Sequence, residues 1–297
     1  MLSSWRIWTS DEELDYMNKR RLKRAALLTG LVGLLIAGVC GIWVRSQQHQ
    51  NALDHRLIVA LAKYDYHQAG SLIKDGADPN THVIPLPAPS FKQFWSYMWH
   101  RSTLPKNDSP TAFLIACGND EEDSNFPEGQ DRVDAPELVR AMLRHGANVR
   151  DRDKAGRTPL YWAASRDNAG TVGVLIDAGA DVNARSPQGW TPLMIACYFL
   201  ASDAIPLLLA HGADVNALDS DGSTALYHTM QTAPPNGDSK KDTTKENLLV
   251  KEILSQLLAH GAIPDLTPNG SMTALQLAQQ FGSPDLVTLL RQAGAKK

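Results

Sequence analysis

A Gly-Ala pair that recurs at a fixed interval, each time after a leucine-rich stretch, is the strongest constraint on how this chain folds. The pairs begin at Gly76, Gly146, Gly179, Gly212, Gly261 and Gly294. Three of the intervals are 33 residues, and the longer ones of 70 and 49 residues are interpreted as the same unit with insertions. A constant period of this length is typical of a stacked array, which offers a long binding surface and rarely an enclosed catalytic pocket. The period therefore favours a binding protein.

Each recurring residue has a local structural role within its unit. Thr191 is placed to cap a helix and Pro192 to occupy its first turn, and Thr158 and Pro159 repeat this arrangement one unit earlier. A second apolar run at helical spacing follows in both units. Gly179 then ends that helix, and Asp-Val-Asn begins a turn into an extended finger. Each unit is therefore predicted to be a pair of helices followed by a finger loop.

Thr-Pro-Leu, the alanine pair that follows it and Gly-Ala-Asp-Val-Asn together resemble the ankyrin repeat family. The resemblance covers roughly residues 52 to 295 and is most complete in the units that end at Gly179 and Gly212. The first unit lacks the Thr-Pro opening, and alanine replaces proline after Thr111 and Thr224. The resemblance implies an all-α solenoid of about six helix-turn-helix repeats with finger loops, which we assign to residues 57–297.

The resemblance also implies where a protein partner would bind, namely at the finger tips and on the inner face of the first helices. The candidate partner-binding residues at these positions are Arg152, Lys154, Arg157, Trp162, Arg185, Trp190, Tyr198 and Tyr227. Trp, Tyr and Arg are the residue types most often found in interface hot spots. The alternative is that Trp162 and Tyr198 pack within the array and that the charged tips only favour solubility.

Residues 25–44 contain no charged side chain, and a helix of this length covers the roughly 30 Å of a bilayer's hydrocarbon. They are predicted to form one transmembrane helix that precedes the array. Five basic residues lie between positions 19 and 24, whereas Arg45 alone follows directly, so residues 1–24 are predicted to be a cytoplasmic tail. Residues 45–56 would connect the span to repeats in the periplasm. A cleaved signal peptide is the alternative, but its apolar region would be shorter.

Small residues on one face of this predicted span, among them Gly33, Ala37 and Gly41, recur at every fourth position. Such a stripe allows two helices to pack closely and indicates either a homodimer or the docking of another membrane protein. The alternative explanation is that glycine is common in membrane-spanning helices.

An insertion near residues 81–109 carries aromatic residues at helical spacing. Its candidate anchor residues are Phe91, Phe94, Trp95, Met98 and Trp99. Because the first unit follows the predicted span closely, this segment could lie in the lipid headgroups. The alternatives are that it anchors a partner protein or that it covers the exposed side of the first repeats.

Two further insertions, near 118–134 and 231–246, are polar, and neither carries a recognisable chemical motif. Residues 120–123 are acidic but lack the alternating oxygen ligands and glycine of a calcium loop. His145, His211 and His260 each directly precede a helix-ending glycine, so their position explains them without a metal. The chain contains no phosphate-binding loop, nucleophile elbow or zinc-protease motif. We therefore predict no cofactor, no metal and no enzyme activity.

Composition adds two constraints. The net charge of -3 gives no overall attraction to nucleic acid. Cys117 and Cys197 occupy equivalent places two units apart, so their sulfur atoms should be roughly 20 Å from each other. That separation excludes a disulfide, and two buried thiols are predicted.

The sequence thus predicts a membrane-anchored ankyrin repeat protein that mediates protein-protein interaction in the periplasm. The alternative is an inhibitor or immunity protein that neutralises a toxic enzyme in the same compartment. No residue distinguishes the two.

Overall fold

The computed structural model of this chain describes residues 42, 45–61, 63, 65–82, 110–118, 135–232, 243–268, 271–281 and 283–296. Within these ranges the regular secondary structure is helical, and one isolated β-bridge joins His82 to Thr111. The chain divides into two compact units, Met1–Ala52 and Leu53–Lys297. The second unit contains the repeats.

The described residues form helices in a regular succession. In chain order these are α1 (45–61), α2 (Tyr66–Lys74), α3 (Ala112–Ala116), α4 (Pro136–Arg144), α5 (Pro159–Ser165), α6 (Ala169–Asp177), α7 (Pro192–Tyr198), α8 (Ala204–Ala210), α9 (Ala225–Gln231), α10 (Thr243–Ala259), α11 (Ala274–Gln280) and α12 (Pro284–Gln292). They pair consecutively, which confirms an all-α array of helix pairs.

The first helix of each unit from α3 onward begins at a threonine. Thr191 Oγ1 accepts a hydrogen bond from the Met194 amide at 3.3 Å, and Pro192 occupies the first turn of α7. Thr158 caps α5 in the same way, and Pro159 follows it. Because the hydroxyl satisfies an amide that the helix leaves unpaired, the cap sets where each helix begins. The predicted helix starts are confirmed.

Two glycine positions illustrate why the period requires this residue. Gly179, just past α6, has a φ of 84°, a conformation that costs other L-residues about 1–2 kcal/mol. At Gly189 the reason is also steric, since a Cβ placed there would lie 2.9 Å from the Cα of Asp219. The finger that precedes α7 and the finger that precedes α9 therefore pack too closely to leave room for a side chain at Gly189.

Stacked helices form one continuous core. The first helices α3, α5, α7, α9 and α11 pack in succession, and behind them α2, α4, α6 and α8 pack in a second row, as do α10 and α12. Each second helix buries one large side chain four residues before its glycine. These side chains are Leu72, Met142, Leu175, Leu208, Leu257 and Leu290. Leu53 and Leu57 of α1 join the same core, so the packed array begins at residue 53.

Neighbouring units are also joined by a polar contact between the turn before one second helix and the start of the next second helix. Asp167, which has a φ of 56°, accepts hydrogen bonds through Oδ1 from the Ala204 amide at 2.8 Å and the Asp203 amide at 3.0 Å. It thereby caps α8 of the following unit. Burial raises the pKa of this carboxyl, although the two amides oppose the shift.

Several predicted segments lie outside the described residues. No helix within the described ranges is long and apolar enough to cross a bilayer. The predicted tail, the span 25–44 except Ile42, and the stripe at Gly33, Ala37 and Gly41 lie outside those ranges. The same holds for 83–109, with its aromatic residues, and for most of the other two insertions. The last part of the 231–246 insertion is helical, because α10 begins at Thr243.

Candidate functional site

A buried carboxylate joins the finger that precedes α5 to that helix. Asp153 Oδ2 accepts hydrogen bonds from Trp162 Nε1 at 3.1 Å and from Arg157 Nε at 2.7 Å. The Arg157 guanidinium also lies over the Trp162 ring, 4.4 Å from its centroid, which is a cation-π contact. These contacts hold Trp162 in the interior, where it is 5% exposed, and the Arg157 side chain covers its ring.

The fifth unit repeats this arrangement with histidine in the place of tryptophan. Asp219 and His228 are nine residues apart, as are Asp153 and Trp162, and Asp219 Oδ2 lies 2.9 Å from His228 Nε2. The other oxygen, Oδ1, accepts from the amides of Asp221 at 2.9 Å and Ser223 at 2.8 Å. The carboxylate is therefore fully engaged and holds the imidazole ring in one orientation.

His228 supports a group of aromatic rings contributed by the fourth unit. The Trp190 ring lies against the imidazole at a centroid distance of 4.1 Å, and it meets the Tyr198 ring edge-on at 5.6 Å. Tyr198 in turn meets the Phe199 ring edge-on at 5.2 Å. Such edge-to-face pairs stabilise aromatic clusters beyond the area they bury. We call Trp190, Tyr198 and Phe199 the aromatic patch.

The aromatic patch exposes apolar surface at the end of α7. Tyr198 is 40% exposed and Phe199 is 56% exposed. Trp190 is half-buried beneath them, against His228 of the next unit. A rigid aromatic group with exposed rings is the kind of surface that protein partners use as an anchor.

The structure places the other candidate residues in three different settings. Tyr227 is buried, like Trp162. Arg152 Nη1 donates to the Arg185 carbonyl oxygen at 3.1 Å, and the Arg185 guanidinium donates to the carbonyl oxygen of Leu218. These two arginines therefore bridge successive fingers while remaining exposed. Lys154 is exposed at the turn of its finger.

Of the predicted contact residues, the structure places Arg157 on Trp162 in one region and gathers Trp190 and Tyr198 into a cluster in another. Phe199 and His228 complete the cluster, the first by extending it and the second by supporting it. Asp153 and Trp162 are nine residues apart in the sequence, and so are Asp219 and His228. This common spacing is the sequence signal that could have predicted the pairing of Asp219 with His228. The contact between Trp190 and His228 had no such signal, because it depends on how two units stack.

The described residues provide neither an activated thiol nor a group of metal ligands. Cys117 and Cys197 are free and buried, as predicted. Burial raises the pKa of the Cys197 thiol to about 12, and it raises that of Cys117 further, with the nearby Asp151 carboxylate as a second cause. Within the described ranges, no three His, Cys, Asp or Glu side chains are grouped to hold a metal ion.

Comparison with known families agrees with the geometry. A sequence model of ankyrin repeats matches three overlapping stretches, residues 99–186, 132–219 and 174–233. No curated protein matches the chain. Residues 99–233 therefore contain ankyrin repeats, a class of repeat that generally mediates protein-protein interaction. The first and last helix pairs lie outside the matched stretches.

Proposed function

We propose that this chain is a membrane-anchored ankyrin repeat protein whose aromatic patch binds a protein partner in the bacterial cell envelope. The exposed rings of Tyr198 and Phe199, fixed on Trp190 and His228, are the observation that carries the proposal. Their arrangement is held before a partner arrives, so little side-chain entropy is lost on binding.

The geometry also supports a division of roles among the candidate residues. Phe199 and Tyr198 would contact the partner directly, and Trp190 would position them. Arg157 and Trp162 would act one unit away, where the Arg157 side chain, which is 17% exposed, would meet the partner and the buried Trp162 would support it. The charged residues at the edge of the proposed binding surface are Arg152, Arg185 and Lys154. Charges in such a position influence the association rate more than the affinity.

Cross-linking followed by capture from envelope extracts tests the aromatic patch. Phe199→Ala and Tyr198→Ala should each weaken partner binding by about thirtyfold and reduce its recovery accordingly, since a hot-spot residue contributes roughly 2 kcal/mol or more. Leu248→Ala is the matched control, because Leu248 is a 62% exposed apolar side chain on α10. Equal recovery with all three variants would reject the patch as the binding site. A captured toxic enzyme that this chain inhibits would favour the inhibitor alternative.

The anchor and the location rest on the sequence of residues 1–45. An uncharged stretch over 25–44 with five basic residues before it supports a single span and a cytoplasmic N-terminus. Protease added to spheroplasts should therefore digest the repeats, and a variant lacking 25–44 should leave the membrane fraction. Repeats that stay protected in intact spheroplasts and are digested after lysis would place the array in the cytoplasm.

A further inference from the structure

Successive units are linked by one side chain that recurs four residues after the glycine of the Gly-Ala pair. At the junction of the third and fourth units, Asn183 Oδ1 accepts from the Asp214 amide at 2.7 Å and Asn183 Nδ2 donates to the Gly212 carbonyl oxygen at 3.1 Å. Asn80 and Asn216 make the same two bonds at the first and fourth junctions. We call each of these bridging side chains a rung.

At the last junction the rung is an aspartate. Asp265 Oδ1 accepts from the Lys296 amide at 3.3 Å. Four of the five junctions between described units therefore have a side-chain oxygen that receives the amide two residues past the next glycine. The acceptor, rather than the overall shape of the side chain, is the shared feature.

Arg150 occupies the rung position at the junction of the second and third units. The backbone there is unchanged, since the Arg150 amide donates to Asn148 Oδ1 at 3.0 Å just as the Asn183 amide donates to Asp181 Oδ1. A guanidinium group has only hydrogen-bond donors, so Arg150 cannot accept a hydrogen bond from the Asp181 amide. Among the described residues, the Asp181 amide and the Gly179 carbonyl oxygen have no hydrogen-bond partner. This junction lacks its rung.

A cleft of about 500 Å³ lies where the rung is missing. Its walls come from both units and include Val149, Arg150, Arg152, Leu160, Gly179 and Asp181. At the next junction the Asn183 side chain bridges the corresponding backbone atoms, the Gly212 carbonyl oxygen and the Asp214 amide. The volume exceeds what one side chain fills, so the cleft can also hold the backbone of the segment that carries it.

A primary amide is the chemical group that fits the two unpaired backbone atoms. It can accept from the Asp181 amide and donate to the Gly179 carbonyl oxygen at once, as three junctions of this molecule show. A carboxylate can accept but cannot donate. It would also approach the exposed Asp181 carboxylate, a like charge. Arg150 remains able to donate to backbone carbonyl oxygens of an incoming segment.

We propose that this cleft binds an asparagine or glutamine side chain of the protein partner, which supplies the missing rung. The proposal rests on the proposed function only in taking the ligand to be part of a protein. It shares no residue with the aromatic patch, so it defines a second contact with its own specificity.

The test uses amide resonances of the full chain in a nuclear magnetic resonance titration. The probe is N-acetyl-asparagine methylamide, and the matched controls are the corresponding alanine and aspartate compounds. We expect the asparagine compound to shift the Asp181 amide saturably and to bind about tenfold more tightly than either control. Equal shifts with alanine, or tighter binding of aspartate, would overturn the amide assignment.

Two substitutions separate the missing rung from a simple charge effect. Arg150→Asn should occupy the cleft with its own amide and abolish the saturable shift. Arg150→Ala should retain it, because Asp181 and Gly179 stay unpaired. Persistent binding in Arg150→Asn, or loss in Arg150→Ala, would contradict the proposal. Since no partner is needed, this outcome is independent of the capture experiment on Phe199.

Discussion

Asp219 shows how a single side chain connects a finger to the helix that follows it. Its Oδ1 atom accepts hydrogen bonds from two backbone amides of the finger, and its Oδ2 atom faces the His228 ring. The carboxylate side chain is 1% exposed. Asp153 does the equivalent for Trp162 in the third unit, whereas Ser186 takes this position in the fourth and accepts the Trp190 amide at 3.2 Å. This position of the repeat thus carries a hydrogen-bond acceptor in all three units, whereas the helical residue that pairs with it differs from unit to unit.

Removing that acceptor should be costly. Asp219→Ala leaves the Ser223 amide and His228 Nε2 buried without their partner, and an unpaired buried polar group costs about 1–3 kcal/mol. We expect the free energy of unfolding in urea to fall by about 3 kcal/mol.

The matched control is Asp221→Ala, because Asp221 is an exposed carboxylate on the same finger. Its effect should stay within about 0.5 kcal/mol. A similar small loss for Asp219→Ala would show that the carboxylate does not stabilise the finger.

At the scale of elements, the rungs explain how one helix pair is held in register with the next. Asn183 links the end of α6 to the end of α8 through two hydrogen bonds, and Asp167 caps α8 from the preceding unit. Packing of α6 on α8, which bury Leu175 and Leu208, brings these elements together, but hydrophobic contacts are not directional. The polar bridges set the spacing of the helix ends.

Asn183→Arg should reproduce at the next junction what Arg150 does at its own. Losing both bonds should lower the free energy of unfolding by about 1–3 kcal/mol, at 0.5–1.5 kcal/mol for each bond.

The same variant should gain saturable binding of N-acetyl-asparagine methylamide at the Asp214 amide. Gln188→Arg, an exposed finger position, controls for the added charge. Unchanged stability in Asn183→Arg would mean that the rung does not stabilise the junction.

At the scale of the whole molecule, the main packing contacts between the described helices lie within one unit or between adjacent units. Each described helix packs on helices of its own unit and of adjacent units, so stability is expected to be nearly a sum of local terms. A destabilising substitution at one end of the array should therefore affect the nearby units more than the distant ones.

Leu286→Ala and Leu193→Ala test this expectation. Both leucines are almost fully buried, Leu286 in α12 at the end of the array and Leu193 in α7 near its middle, and each substitution should cost about 2–5 kcal/mol. Hydrogen exchange should accelerate mainly in α11 and α12 for Leu286→Ala, but from α5 to α9 for Leu193→Ala. Arg291→Ala, an exposed change on α12, is the control. Uniform acceleration throughout the array in both variants would contradict local stability.

The sequence by itself determined the repeat unit. Thr191 and Pro192 signal a helix start, Gly179 signals a helix end, and the interval of 33 residues makes both recur. Burial of Cys117 and Cys197 followed as well, because their places in the period face the core. These features are readable because capping and the left-handed turn need only residues within a few positions of each other.

Tertiary structure alone decided which of the candidate residues reach solvent and what meets across a junction. Trp162 faces inward, held by Asp153, whereas Tyr198 faces outward. Trp190 contacts His228 of the following unit, and a cleft lies beside Arg150, where the other junctions have a side chain that bridges two units. The physical reason is that these contacts depend on the rotation and spacing of stacked units, which arise from the summed packing of the whole core.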